Sequence, residues 1–163
     1  WAIPGTEALP IVWAVLKKTM KQVLSRQTPV NHQKMVTTRQ AKIDKIADYI
    51  PELEVIGDPD ADLLIVGWGG TYGHLYEAME TMQEQGKKVA LAHFKFISPL
   101  PKNTAEVLSK YKKVVVAEQN NGQFANYLRG KVTGFNPYRF NRVKGQPFVV
   151  ARLVEEFTKI LEA

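Results

Sequence analysis

Apolar and polar positions set the frame from residue 63 onward, where short apolar runs alternate with amphipathic stretches. Residues 63–66 (Leu-Leu-Ile-Val) read as a buried strand that opens into Gly67-Trp68-Gly69-Gly70-Thr71-Tyr72-Gly73. Leu75, Ala78, Met79 and Met82 then recur at i, i+3, i+4, i+7, the spacing of one helix face, and Gly86 ends that helix. Residues 89–94 form a second strand, followed by Ile97-Ser98-Pro99-Leu100-Pro101. A helix starts at Asn103 or Thr104, with Val107, Leu108 and Tyr111 on one face. Residues 114–117 (Val-Val-Val-Ala) are continuously apolar, as expected of a strand covered on both faces. A helix over 124–132, a fourth strand over 139–143 and a closing helix over 148–161 complete the series. The alternation predicts an α/β fold: a mainly parallel sheet of about four strands with helices on both faces and right-handed crossovers.

Upstream the pattern changes. Residues 1–30 are irregular, with Pro4, Gly5, Pro10 and Pro29 as breakers. Residues 31–50 are helical in spacing: Asn31 can cap, Met35, Ala41 (or Thr38), Ile43, Ile46, Ala47 and Ile50 form one face, and Pro51 stops the helix. The turn Gly57-Asp58-Pro59-Asp60 follows. The chain therefore divides into a leading segment, 1–51, and an α/β domain, 52–163.

Composition narrows the function classes. No apolar run approaches the ~20 residues that span a bilayer, so no membrane association is expected. The first residue is Trp1 where a start Met would stand, and Lys17, Lys18 and Lys21 follow the first apolar stretch, the reverse of a signal peptide. With no cysteine there is no disulfide, thiolate nucleophile or cysteine-ligated cluster, and a cytoplasmic location is expected. His32, His74 and His93 lack metal-ligand spacing. The net charge of +6 is spread along the chain, which reads as solvated surface with no nucleic-acid partner.

Ligands of open parallel sheets gather at the carboxyl ends of the strands, and three distinctive loops fall there. In the first, Gly69, Gly70, Thr71, Tyr72 and Gly73 could cradle an anion or simply make a tight strand-to-helix connection. Its spacing is not G-x-G-x-x-G, because position 72 is Tyr, and no Lys-Ser/Thr pair makes it a P-loop. The second strand ends in His93-Phe94 without an acid for a ribose. In the next loop, two prolines stiffen a crossover that either packs internally or presents Ser98 and Leu100 to a partner. The third, Glu118-Gln119-Asn120-Asn121-Gly122-Gln123, either binds a ligand or caps the next helix. Glu118 has no second titratable group near it in sequence, so no catalytic residue and no metal ligand is assigned. A free-standing phosphate- or small-molecule-binding module is one reading of these loops.

Taken together, Gly67–Gly73, then Phe96-Ile97-Ser98-Pro99-Leu100-Pro101-Lys102, then Glu118–Gln123, then Val143-Lys144-Gly145-Gln146-Pro147-Phe148 resemble the C-terminal domain of 2-oxoglutarate:ferredoxin oxidoreductase alpha subunits, in order and spacing over about 52–163. Ala2-Ile3-Pro4-Gly5-Thr6 and Asn31-His32-Gln33-Lys34-Met35 resemble the segment leaving that subunit's pyrimidine-binding domain. The resemblance implies a fold of the transketolase C-terminal type. It implies a subunit of an enzyme that decarboxylates a 2-oxoacid on thiamine diphosphate, transfers the acyl group to coenzyme A and passes electrons to ferredoxin. In that family the diphosphate, Mg²⁺ and iron–sulfur cluster are held mainly by the beta subunit, and the alpha subunit's pyrimidine-binding domain, expected before Trp1, supplies the activating carboxylate. The implied role here is packing and closure beside the active site. No cofactor would be bound by this chain alone, and Ser98, Leu100, Glu118, Asn120, Asn121 and Gln123 are its candidate contacts with the rest of the complex. The choice of 2-oxoglutarate over other 2-oxoacids rests on motif similarity alone.

Residues 11–28 do not share the resemblance. Related subunits carry a Gly-Leu-Glu stretch and then an acidic, glycine-bearing loop at this point. Joining the third base of each codon to the first two of the next makes Trp13-Ala14 specify Gly and Met20-Lys21 specify Glu. Permitted codons across 11–23 then spell Cys-Val-Gly-Gly-Leu-Glu-Lys-Asp-Asp-Glu-Thr-Gly. The expectation is a segment read out of frame, whose restoration would move the net charge from +6 to roughly −2.

Overall fold

The computed structural model describes residues 28–163, so the segment suspected of a frame change lies outside the described residues except for Thr28. The chain separates into two compact units, dividing between Ile46 and Ala47.

The first unit contributes helix α1, Pro29–Asp44. Its cap is Thr28, not Asn31: the Asn31 backbone N–H donates to Thr28 Oγ1 at 3.2 Å, and Pro29 opens the first turn. Proline suits that position because its missing N–H would have had no helical partner. No residue of α1 is buried. The helix stops at Asp44 and continues only as a 3-10 turn, Lys45–Asp48, so the expected single helix to residue 50 is shorter and breaks before Pro51.

The second unit is the α/β domain. Its strands and helices are β1 Val55–Gly57, β2 Leu63–Trp68, α2 Tyr72–Glu84, β3 Val89–Phe94, α3 Thr104–Lys110, β4 Lys113–Glu118, α4 Gln123–Lys131, β5 Tyr138–Asn141 and α5 Val150–Glu162. The sheet order is β1-β3-β2-β4-β5. All pairings are parallel except β1 on β3, an antiparallel edge strand that the sequence pattern did not predict. The sheet thus has five strands where about four were expected.

Each central strand buries alternate residues against a different helical layer. Leu64, Val66, Ala90, Ala92, Phe94, Val114 and Val116 pack with Leu108 of α3 and Phe124, Ala125 and Leu128 of α4. Leu63, Ile65, Val89, Leu91, Val115 and Ala117 pack with Leu75, Ala78, Met79 and Met82 of α2 and Leu153 and Phe157 of α5. Each large side chain so buried stabilises the fold by about 1.5–3 kcal/mol. This double cover is why the strands read as unbroken apolar runs.

Local devices hold the ends. Gly67 is required by close approach: a Cβ there would stand 2.1 Å from Leu75 Cδ1 and 3.0 Å from Thr71 Oγ1. Asn103 clamps the lead into β1, accepting from Leu53 N at 2.8 Å and donating to Leu53 O at 3.0 Å. Lys113 Nζ donates to the carbonyls of Ile160 and Leu161, satisfying the last turn of α5 where a cation also suits the helix dipole. Phe148 from the fourth motif is buried against Phe140, ring centroids 5.5 Å apart, and so anchors the entry to α5.

Candidate functional site at the strand-end face

Strand order fixes where a ligand would be expected. From β2 the chain crosses to β3 on one side, while β4 leads to β5 on the other, so the crevice between the carboxyl ends of β2 and β4 is the switch point of the sheet. The domain fills this crevice itself. Glu118 ends β4 at 0% exposure, and its carboxylate accepts from Phe124 N at 2.8 Å, Ala125 N at 2.9 Å and Trp68 Nε1 at 3.4 Å. Trp68 and Phe124 pack over it at 6.0 Å between centroids, and Phe94 meets Phe124 edge-on at 5.0 Å. The first-turn amides of α4 that could have held an anion are therefore occupied by a built-in one.

By sequence, Glu118 is open between ligand binding and capping and stands among the contact candidates. The structure makes it the cap and removes it from the surface, because two free helix amides and an indole N–H need an acceptor inside the core. Asn120 is likewise committed: its Oδ1 accepts from Gly122 N at 2.8 Å and Gln123 N at 3.0 Å, closing the turn before α4. Gly122 adopts φ +83 there, the left-handed region that favours glycine. Asn121 and Gln123 are exposed beside it, and Ser98 is exposed in the loop after β3. Leu100 is half-buried and packs against the core layer of α3 and α4.

In the glycine-rich loop, Thr71 turns inward: its hydroxyl donates to Trp68 O at 2.8 Å and the residue is buried. A strand-to-helix connection uses it, and an anion would meet only the open backbone at Gly69, Gly70 and Gly73. Tyr72 is exposed and meets the His93 ring edge-on at 5.1 Å. Burial lowers the His93 pKa, the Gly69 backbone acts against this, and the charge of Lys95 adds to the lowering. His93 Nε2 is shielded without an acceptor or donor partner among the described residues. Beside it runs a small cleft of about 50 Å³ formed by Pro51, Glu52, Leu53, Glu54, His93, Lys95, Phe96 and Pro101. The sequence offered His93 only as the absence of an acid. Its environment depends on α2 lying over the end of β3, which no spacing reveals.

These residues do not fit a metal ion. The chain has no cysteine, no group of three or more His, Cys, Asp or Glu side chains able to hold a metal occurs among the described residues, and the one strand-end carboxylate is consumed by amides. No cofactor step is assigned to them. No helix among the described residues is long and apolar enough to cross a membrane.

The model of the family described as "Pyruvate:ferredoxin oxidoreductase core domain II" matches residues 61–148, more than half of the chain. The chain belongs to this family. All four sequence motifs fall within the matched core domain II region. The 2-oxoglutarate oxidoreductase subunit KorA of Mycobacterium tuberculosis is 41% identical over the whole chain, which covers 24% of that protein. The alpha subunit of 2-oxoacid:ferredoxin oxidoreductase 1 of Aeropyrum pernix is 34% identical over 79% of the chain and 21% of its own length. Among solved structures, the 2-oxoglutarate:ferredoxin oxidoreductase from Magnetococcus marinus, with 2-oxoglutarate, coenzyme A and succinyl-CoA bound, superposes with a TM-score of 0.81 and 28% identity. That match covers 98% of this chain and 28% of the other. The chain thus spans about a quarter or less of the length of these two curated relatives, 24% and 21%.

Proposed function

We propose that this chain is the C-terminal α/β domain of the alpha subunit of a thiamine-diphosphate-dependent 2-oxoacid:ferredoxin oxidoreductase acting on 2-oxoglutarate. Residues 52–163 form the domain, and 1–51 lead into it from a preceding pyrimidine-binding domain. Its role is to pack and close beside an active site built by other parts of the complex. The reaction class is supported by the relatives, which carry the names of 2-oxoacid oxidoreductase subunits. The packing role is carried by one observation: the switch-point crevice, where an α/β domain would bind its own ligand, is filled by Trp68, Glu118 and Phe124. Thiamine diphosphate, Mg²⁺, the iron–sulfur cluster and coenzyme A belong to the assembled enzyme, and a beta subunit and ferredoxin are its partners. Ser98, Leu100, Asn121 and Gln123, together with Tyr72 and Phe96, make the contact surface. Co-expression of the whole alpha subunit with its cognate beta subunit tests this. A stable complex that is lost when residues 52–163 are deleted is the expected result; an intact complex of full activity without them would contradict the reading.

A further inference from the structure

Asn121-Gly122 is the only Asn-Gly pair in the chain, and it lies in the turn that leads into α4. Asparagine before glycine is the pairing most open to self-attack. The following backbone nitrogen closes on the side-chain Cγ, and glycine has no Cβ to crowd the five-membered ring. Every other asparagine precedes a residue with a Cβ. Asn121 is exposed, so water reaches its side chain and carries off what the reaction releases. Gly122 stands at φ +83, a conformation that keeps glycine at this place in the fold.

The same turn restrains the attacking atom. Gly122 is buried, and its N–H donates to Asn120 Oδ1 at 2.8 Å, an oxygen that also accepts from Gln123 N at 3.0 Å. The nitrogen must lose that proton before it attacks, and a proton held in a short bond away from solvent is given up less readily. The residues beyond are locked too. Gly122 O accepts from Asn126 N at 3.1 Å, and Glu118 holds the amides of Phe124 and Ala125. Moving the Gly122 nitrogen onto its neighbour's side chain therefore means loosening the start of α4.

We propose that Asn121 is a site of spontaneous deamidation, and that Asn120 governs its rate by holding the attacking N–H. A bond forms between Gly122 N and Asn121 Cγ, the Cγ–Nδ2 bond breaks, and the proton from Gly122 N passes through water to the departing ammonia. Water then opens the succinimide at either carbonyl, leaving aspartate or isoaspartate and a new negative charge at 121. Isoaspartate also adds a methylene to the main chain, where Asn120 and Glu118 fit the amides from Gly122 to Ala125 closely. The site does not rest on the oxidoreductase reading.

Incubation of the purified full chain at mildly alkaline pH tests it, with peptide mapping by mass spectrometry and chromatographic separation of isoaspartate from aspartate. Asn121 should convert ahead of every other asparagine, and more slowly than in the same chain unfolded in urea. Asn120→Ala should raise the rate at 121 by about two- to tenfold, the worth of the lost hydrogen bond. Asn120→Asp keeps the acceptor and should not raise it. If Asn120→Ala does not fold, Asn120→Ser takes its place, and its weaker acceptor should give a smaller rise. A folded chain that converts at 121 as fast as the unfolded one, a rate unchanged by loss of the Asn120 acceptor, or another asparagine reacting first would overturn the proposal.

Discussion

Replacing Glu118 with Ala removes the acceptor of two short backbone bonds, from Phe124 N at 2.8 Å and Ala125 N at 2.9 Å, in a position with no solvent exposure. Water cannot replace it without entering the crevice under Trp68 and Phe124, so both amides are left unsatisfied. Each such group costs about 1–3 kcal/mol, and bonds to a charged acceptor lie toward the upper end. The contact from Trp68 Nε1 at 3.4 Å is too long to add much. The expected loss for Glu118→Ala is about 3–5 kcal/mol, which lowers Tm by on the order of 10 °C in a domain of this size. Glu118→Gln keeps the shape but sets an amide N–H against a backbone N–H, and should lose about 2–3 kcal/mol. Urea unfolding followed by circular dichroism measures both, and amide exchange at Phe124 and Ala125 reports the local effect. A loss below about 1 kcal/mol for Glu118→Ala would refute the view that this carboxylate holds the start of α4 and closes the crevice.

Leu100→Asp should leave the domain folded at a cost of about 1–2 kcal/mol, since the side chain is half-buried on the core, and should weaken association with the rest of the complex; unfolding of the isolated domain would remove Leu100 from the contact surface. His93 is held below its ordinary 6.5 by burial, so as pH falls through 6.5 the unfolded chain takes up the proton first and the folded state loses stability until the folded His93 titrates. Unfolding curves between pH 7 and pH 5 should therefore show a shallower decline for His93→Gln, and equal slopes would rule out a contribution from His93 (about 6.5 being the unfolded midpoint). Sequencing the source gene across codons 8–30 should find one base lost near Pro10 and one gained near Thr28; a clean frame encoding the residues as they stand ends that expectation.

The sheet was legible where burial on both faces left a continuous apolar signature, as at Leu63–Trp68 and in the valines of Lys113–Glu118. Helix α2 was legible because Leu75, Ala78, Met79 and Met82 keep one face at helical spacing. β1 was not, because three residues at an edge give no period, and its pairing with β3 is set by Asn103 holding Leu53 from fifty residues away. The end of α1 was misplaced because apolar spacing runs on to Ile50 while the backbone tightens at Lys45 with no glycine or proline to mark it. At the strand-end face, sequence placed the three loops together but could not divide their side chains between inside and outside. Glu118 and Thr71 turn inward because a helix amide and a strand carbonyl there need partners, and this is decided by three-dimensional closure. The shielded Nε of Arg142 had no signal in the sequence beyond the residue's charge.

In the proposed role, this domain completes an oxidoreductase whose chemistry lies in its other parts. The most direct measurement is 2-oxoacid-dependent reduction of ferredoxin or a viologen dye, by the purified chain alone and by the whole alpha subunit reconstituted with its cognate beta subunit. The expected result is no turnover by the chain alone, and turnover by the reconstituted enzyme that requires thiamine diphosphate and is faster with 2-oxoglutarate than with pyruvate. Thiamine-diphosphate-dependent turnover by the purified chain alone would contradict it, as would a reconstituted enzyme indifferent to 2-oxoacids.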